Sequence, residues 1–186
     1  MPPKIKITKE EIIDTALNIT RGCCAQAINA RSIANILQCS TQPIFSNFTS
    51  MEELRQAVTD KADQLFREYM KREVENGDYP AYKASGMAYI RFAKEEKELF
   101  KLLYMFDRAG APAPESSDLF DSMESLVQSS TGIDRSRAKL FHLEMWAYVH
   151  GIATMFATGY LDLEWTLVSK MITDAYQGLR KQYGTE

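Results

Sequence analysis

The first 50 residues of this sequence mark out helix boundaries more tightly than any other stretch of it. Thr8 is followed three residues later by Glu11, a capping box in which hydroxyl and carboxylate take up N–H groups of the first turn. Ile12, Ile13, Ala16, Leu17 and Ile19 then follow helical spacing, and Gly22 stands where a helix closes on a left-handed residue. The spacing predicts helix one over 9–21. Asn29 is the next N-cap, with Ile28 and Ile33 at the two positions of a hydrophobic staple, and predicts a short helix over 30–37. Ser40 reads as the cap of a third helix over 41–47, with Cys39 and Ile44 as its staple. Pro43 falls in its first turn, where a missing N–H costs nothing. Ser50 and Glu53 form another capping box and open a fourth helix. Two short helices three residues apart, preceded by a longer one, are the layout of a helix-turn-helix, whose second helix enters the DNA major groove. A plain three-helix core would produce much of the same pattern.

The rest of the chain also reads as helix. After a break at 76–80, helices are expected over 82–94 and 96–106, and 110–114 is a loop. Ser117 is placed to cap a helix ending near Gly132, a long helix covers 133–158, and Asp162 is placed to cap the last. No alternating strand pattern or hairpin dipeptide occurs, and nine Gly with six Pro are few for an all-β chain. The fold class is all-α with about nine helices. Residues 1–50 form a three-helix helix-turn-helix domain, joined by a connecting helix to a larger helical bundle within 51–186. The most apolar stretch, Met145 to Leu161, is interrupted by His150, Gly151 and two Thr and falls short of the roughly 20 clean residues of a membrane span. It reads as a buried helix, and no membrane partner is expected.

A net charge of −3 gives the whole chain no general attraction to nucleic acid. The charge is unevenly spread, however. Lys4, Lys6, Lys9, Arg21 and Arg31 against Glu10, Glu11 and Asp14 leave residues 1–50 at +2, and the remainder at −5. No Lys or Arg lies between Arg31 and Arg55. Phosphate contacts therefore fall to Arg31, the Lys4–Lys6 arm, hydroxyls and backbone N–H groups. The residues placed to meet DNA are Arg31, Ser40, Thr41, Gln42, Phe45, Ser46 and Asn47, with Lys4 and Lys6. Gln and Asn pair best with adenine.

No G-x-S-x-G, P-loop, G-x-G-x-x-G or H-E-x-x-H motif occurs, and His142 and His150 are eight apart, not the i, i+4 of a helical metal pair. No enzyme activity, cofactor or metal is expected. Cys23, Cys24 and Cys39 contain no C-x-x-C pair; they read as small apolar fillers of a reduced, cytoplasmic protein, with a redox-sensing thiol as the other use. The basic N-terminus has no apolar h-region of a secretory signal.

Residues 8 to 66 resemble the N-terminal domain of the tetracycline-repressor family of transcriptional regulators. Arg31, Ile33, Ala34, Ser40, Phe48, Ser50, Glu52, Glu53 and Leu54 match its pattern. The chain departs from that pattern at four residues and in the stretch from Gly22 to Ile33, which is about two residues longer than typical. Gln38 stands at the turn glycine, Phe45 at the usual Tyr of the recognition helix, Asn47 at a frequent His, and Met51 at the usual Lys opening helix four. Trp146, His150 and Gly151 are similar to a Trp…His-Gly motif in the C-terminal domain of one branch of the family. The resemblance implies a repressor that binds a near-palindromic double-stranded operator as a homodimer and is released by a small apolar or aromatic ligand. It also implies that the last two helices, about 136–159 and 163–181, pair with their copies in a second subunit.

The aromatic-rich larger half supplies candidates for that ligand: Phe92, Phe100, Tyr104, Met105, Phe120, Met123, Trp146 and His150. Each of them serves equally as packed core. Gly151 in mid-helix costs about 1 kcal/mol against Ala and suggests close packing of another helix or a ligand. Trp165, Val168, Ile172 and Tyr176 form an apolar face for a dimer contact, or else are buried within one chain. The alternative overall is a helical interaction or ligand-binding protein that has lost specific DNA binding.

Overall fold

A computed structural model describes residues 7–106 and 118–184. Lys4, Lys6, the loop at 110–114 and the cap at Ser117 lie outside the described residues. Among the described residues the chain is all-α, with nine helices and no strand. They are α1 (Lys9–Gly22), α2 (Ala30–Ile36), α3 (Gln42–Asn47), α4 (Met51–Asn76), α5 (Ala81–Glu95), α6 (Lys97–Tyr104), α7 (Asp118–Thr131), α8 (Arg135–Thr158) and α9 (Trp165–Gln182), with a 3-10 turn at Ala25–Ala27. The chain forms two compact units. The N-terminal unit comprises Met1–Arg67 and Glu96–Phe106, and the C-terminal unit comprises Glu68–Glu95 and Asp107–Glu186.

In the N-terminal unit the capping box closes as its residues dictate. The Thr8 N–H donates to Glu11 Oε2 at 2.8 Å, and the Glu11 N–H donates to Thr8 Oγ1 at 3.2 Å. Asn29 caps α2 through the Ser32 N–H at 2.9 Å, and Ser32 completes a second box that the sequence pattern did not single out. Ile12, Ile28, Ile33, Ile44, Leu54 and Val58 are buried in the core of this unit. Each such side chain contributes roughly 1.5–3 kcal/mol by leaving water. Two expected helix ends differ. Gly22 is the last helical residue and does not take a left-handed φ; the chain leaves α1 at Cys23 (φ −141°), whose N–H bonds Ile19 and Thr20, and enters the 3-10 turn without reversing. Ser40 does not cap α3. Thr41 is its N-cap, with a near-helical backbone and no side-chain cap, and Pro43 leaves one N–H fewer to satisfy.

In the C-terminal unit α8 packs against α5, α7 and α9. Asp134 caps α8 by accepting from the N–H groups of Ser136 and Arg137, and Gly159 (φ +70°) closes it. The apolar stretch is the second half of α8, with Met145, Val149, Ile152 and Phe156 buried. No helix among the described residues is long and apolar enough to cross a membrane. Asp162 does not cap α9, whose N-cap is Glu164; its carboxylate is taken instead by Lys94, at 2.6 Å. Gly151 does not mark a close approach within the chain, because a Cβ there would meet nothing within 4 Å. The close approach is at Gly86 on α5, where a Cβ would lie 3.4 Å from Val149 Cγ2 on α8.

Candidate functional site

The turn between α2 and α3 keeps a glycine geometry without a glycine. Gln38 holds φ +51°. The Gln38 N–H reaches the Asn35 carbonyl at 3.3 Å, and the Cys39 N–H reaches the Ala34 carbonyl at 3.0 Å, the two bonds of a Schellman closure. A left-handed residue with a Cβ costs about 1–2 kcal/mol. The hydrogen bonds and the buried inner face of Ile33, Ala34, Ile44 and Phe48 offset it. α3 therefore turns its other side outward: Gln42, Phe45 and Ser46 are exposed, Phe45 at 55%. Ser40 and Arg31 are exposed as well, and Thr41 and Asn47 are half-buried. Two of these side chains are turned back on the helix. Ser46 Oγ donates to the Gln42 carbonyl at 2.9 Å, and Asn47 Nδ2 to the Pro43 carbonyl at 2.8 Å. That bond takes one of the two Asn47 amide N–H groups and leaves the other, with Oδ1, for a bidentate adenine contact. Ile36, 60% exposed on α2, extends the outward face and was not among the residues picked from the sequence.

Glu53 anchors α4 under this face. Its carboxylate accepts from the Thr49 N–H at 2.7 Å, the Thr49 hydroxyl at 2.8 Å and Lys9 Nζ at 3.1 Å, while its own N–H bonds Ser50 Oγ. The Ser50–Glu53 box is thus shared with Thr49. The Thr49 N–H and hydroxyl, with Lys9, hold the Glu53 carboxyl down to about 2. Several cations of this unit are committed internally. Lys61 pairs with Glu10 and Asp14, Arg21 with Glu96, and Arg55 with Glu52 and the Ile28 carbonyl. Arg31 is in none of these pairs.

In the C-terminal unit two tyrosine–histidine pairs join α5 to α8. Tyr82 Oη lies 2.9 Å from His142 Nδ1, and Tyr89 Oη lies 2.9 Å from His150 Nδ1. The matching order of the pairs means that α5 and α8 run in the same direction. Burial lowers His142 to about 4 and also lowers His150, so both imidazoles are neutral near pH 7. Burial raises the Tyr82 phenol far above its ordinary range. We assign each phenol as donor to Nδ1, which leaves the ring hydrogen on Nε2. Phe120 packs edge-on against His142 at 4.3 Å, and Trp146 stacks on His150 at 5.1 Å. Nearby, Lys83 Nζ donates to Ser169 Oγ at 2.7 Å and Thr173 Oγ1 at 2.8 Å. The buried Glu73 carboxylate pairs with Arg91 at 3.0 Å, and Arg91 lies over the Trp165 ring.

Residues 82–174, half of the chain, match the family described as "Tetracyclin repressor-like, C-terminal domain". The chain belongs to the tetracycline-repressor family. The fold is similar to the crystal structure of a TetR-like transcriptional regulator from Rhodococcus sp. RHA1, with a TM-score of 0.68 at 16% identity, covering 96% of this chain and 98% of that one. No curated protein matches the sequence.

Within this tetracycline-repressor fold the eight pocket candidates are divided between the two units. Phe100, Tyr104 and Met105 belong to the N-terminal unit, where Tyr104 packs against Phe66 and Phe100. Phe92, Phe120, Met123, Trp146 and His150 belong to the C-terminal unit. Phe92 is fully buried against Tyr69, and Phe120 meets His142. The α9 residues take the second use the sequence left open. Val168 and Ile172 are buried within the chain, Tyr176 packs on Tyr82 and Phe141, and Trp165 lies under Arg91. The sequence reading missed Tyr82, Tyr89 and His142. Their signal was the near-equal spacing of Tyr82–Tyr89 and His142–His150 on two helices.

Proposed function

We propose that this chain is a DNA-binding transcriptional regulator, a repressor that binds a near-palindromic operator as a homodimer and releases it when a small apolar or aromatic ligand binds the C-terminal unit. Residues 1–50 are the DNA-reading part, and 51–186 carry ligand binding and dimerisation. The observation that carries this reading is the Gln38 turn, which sets α3 with its inner face buried and Gln42, Phe45 and Ser46 outward. Gln42 and Thr41 are placed for base edges, and the Phe45 ring for a thymine methyl. Arg31, Ser40, Lys4 and Lys6 serve phosphates, and Asn47 offers its Oδ1 and second amide N–H to a base edge. With few cations on this face, about two to four counterions per subunit are released, which gives a shallow salt dependence. The dimer contact falls on α8. Leu140, Tyr148 and Met155 are exposed along one stripe with Gly151, and Leu167 is exposed on α9. The ligand meets His150, Trp146 and Tyr89, and α4, shared by both units, carries the change to the reading helix.

A mobility-shift assay on the DNA upstream of the protein's own gene tests this. Phe45→Ala and Gln42→Ala each weaken binding roughly tenfold or more. Equal binding by wild type and both variants rejects α3 as the reading helix. Met155→Glu breaks the dimer in sedimentation if the α8 stripe is the contact. The second reading, a helical binding protein without operator function, is favoured by the absence of Lys and Arg between Arg31 and Arg55. It gains ground if no upstream DNA is retained while small-molecule binding persists.

A further inference from the structure

The use of cysteine as small apolar filler predicts buried thiols, since free cysteine is among the most buried residue types. None of the three is buried: Cys23 is exposed, and Cys24 and Cys39 are half-exposed. Cys23 and Cys24 stand together between α1 and the 3-10 turn. Cys23 ends α1 through its backbone N–H, and Cys24 continues in extended conformation (φ −179°), so the fold uses their backbone.

We propose that Cys23 and Cys24 form a two-thiol site for monosubstituted trivalent arsenicals, a site on the N-terminal unit that does not rest on the DNA or ligand reading above. The first argument is the number of donors. No group of three or more His, Cys, Asp or Glu among the described residues is placed to hold a metal ion. An organoarsenic centre needs only two sulfurs, since carbon fills its third position. The second argument is reach. Neighbouring Cα atoms are about 3.8 Å apart, short of the roughly 4.4–6.8 Å of ordinary disulfides. Arsenic inserted between the sulfurs lengthens the bridge by one atom, and its pyramidal geometry holds them side by side.

Protonation points the same way. The Cys24 thiol, with smaller contributions from burial and Glu98, raises Cys23 above its ordinary pKa, so the resting form is the thiol rather than the thiolate that oxidants attack. An arsenic(III) oxide brings its own leaving group. Two S–H bonds break, two As–S bonds form, and the oxygen departs as water with both protons; arsenic stays trivalent and no electron moves. The position is also informative. The Ala27 carbonyl, in the turn that follows, accepts from Asn29 Nδ2 at 3.1 Å and Ser32 Oγ at 3.2 Å, and these are the cap residues of α2. A bridge across the Cys23–Cys24 peptide fixes the chain just ahead of that cap.

The test uses the full chain, phenylarsine oxide as probe, an excess of glutathione as competing monothiol, and intact-mass spectrometry. Wild type and Cys39→Ser retain one arsenical per chain. Cys23→Ser and Cys24→Ser release it roughly tenfold faster or more, because the second sulfur is no longer local. Should Cys24→Ser fail to fold, Cys23→Ser, at the exposed position, decides alone. Undiminished retention by Cys23→Ser, loss from Cys39→Ser, no retention by wild type, or a disulfide-linked dimer in its place overturns the proposal.

Discussion

The two units are built on different ranges of interaction. In the N-terminal unit the polar contacts that start its helices are local, beside longer ion pairs such as Arg21–Glu96. Thr8 with Glu11, Asn29 with Ser32 and Thr49 with Glu53 are three or four residues apart. In the C-terminal unit the polar contacts between helices are distant, with Tyr82 to His142 and Tyr89 to His150 about sixty residues apart and Lys83 to Thr173 ninety. Local contacts set where short helices begin and hence where a reading face points. Distant contacts decide which helices share an interior, and so which side chains meet a bound molecule.

The contrast predicts unequal sensitivity, largest first. Phe141 is fully buried among Tyr82, Tyr176 and Tyr183. Phe141→Ala is expected to cost about 3–5 kcal/mol. Tryptophan fluorescence reads it in urea, because Trp146 and Trp165 both lie in the C-terminal unit. A loss near 1 kcal/mol breaks the picture of a tightly packed distal core.

The next effect is in pH. His142 titrates at about 4 when folded and near 6.5 when unfolded. Between those values the unfolded chain binds more protons, so this contribution to stability is complete above about 6.5 and is lost as pH falls toward about 4. Glu53, at about 2 when folded, contributes fully above the ordinary carboxylate range and loses that contribution as pH falls through about 2. Moving from about pH 7 to about pH 5 is therefore expected to lower the tryptophan-detected midpoint, less so in His142→Asn, while amide exchange in α1 is little changed. Equal pH dependence in wild type and His142→Asn removes the histidine as the cause.

Smaller effects belong to the local contacts. Asn29→Ala is expected to cost about 1 kcal/mol, seen as faster amide exchange in α2. Gln38→Gly is expected to stabilise by about 1 kcal/mol or less, since glycine accepts a positive φ freely but loses more chain entropy. Destabilisation by Gln38→Gly would mean that the Gln38 side chain contributes more than its backbone strain costs.

How much was legible in the sequence follows the same division. The caps at Thr8 and Asn29 were visible because their partners lie within one helical turn, and the all-α class because helical spacing recurs along the chain. Ser40 and Asp162 were misplaced as caps for a shared reason: their side-chain type fits, but the chain enters each helix one or two residues later. Gly151 shows its backbone cost in the sequence but not what faces it, and within the chain nothing does. The pocket residues were named by type alone, and type does not say which unit each belongs to. Tyr82 and Tyr89 went unnoticed because their meaning comes only with the histidines opposite.

The anchoring of α9 on α5 has a consequence in ionic strength. At one end Lys94 meets Asp162, just ahead of α9, in an exposed ion pair. At the other, Lys83 is held by the hydroxyls of Ser169 and Thr173, with no carboxylate in the contact. Salt screens the first and has little to screen in the second. Rising salt therefore loosens α9 directionally, fraying it from its N-terminal end while its middle stays moored.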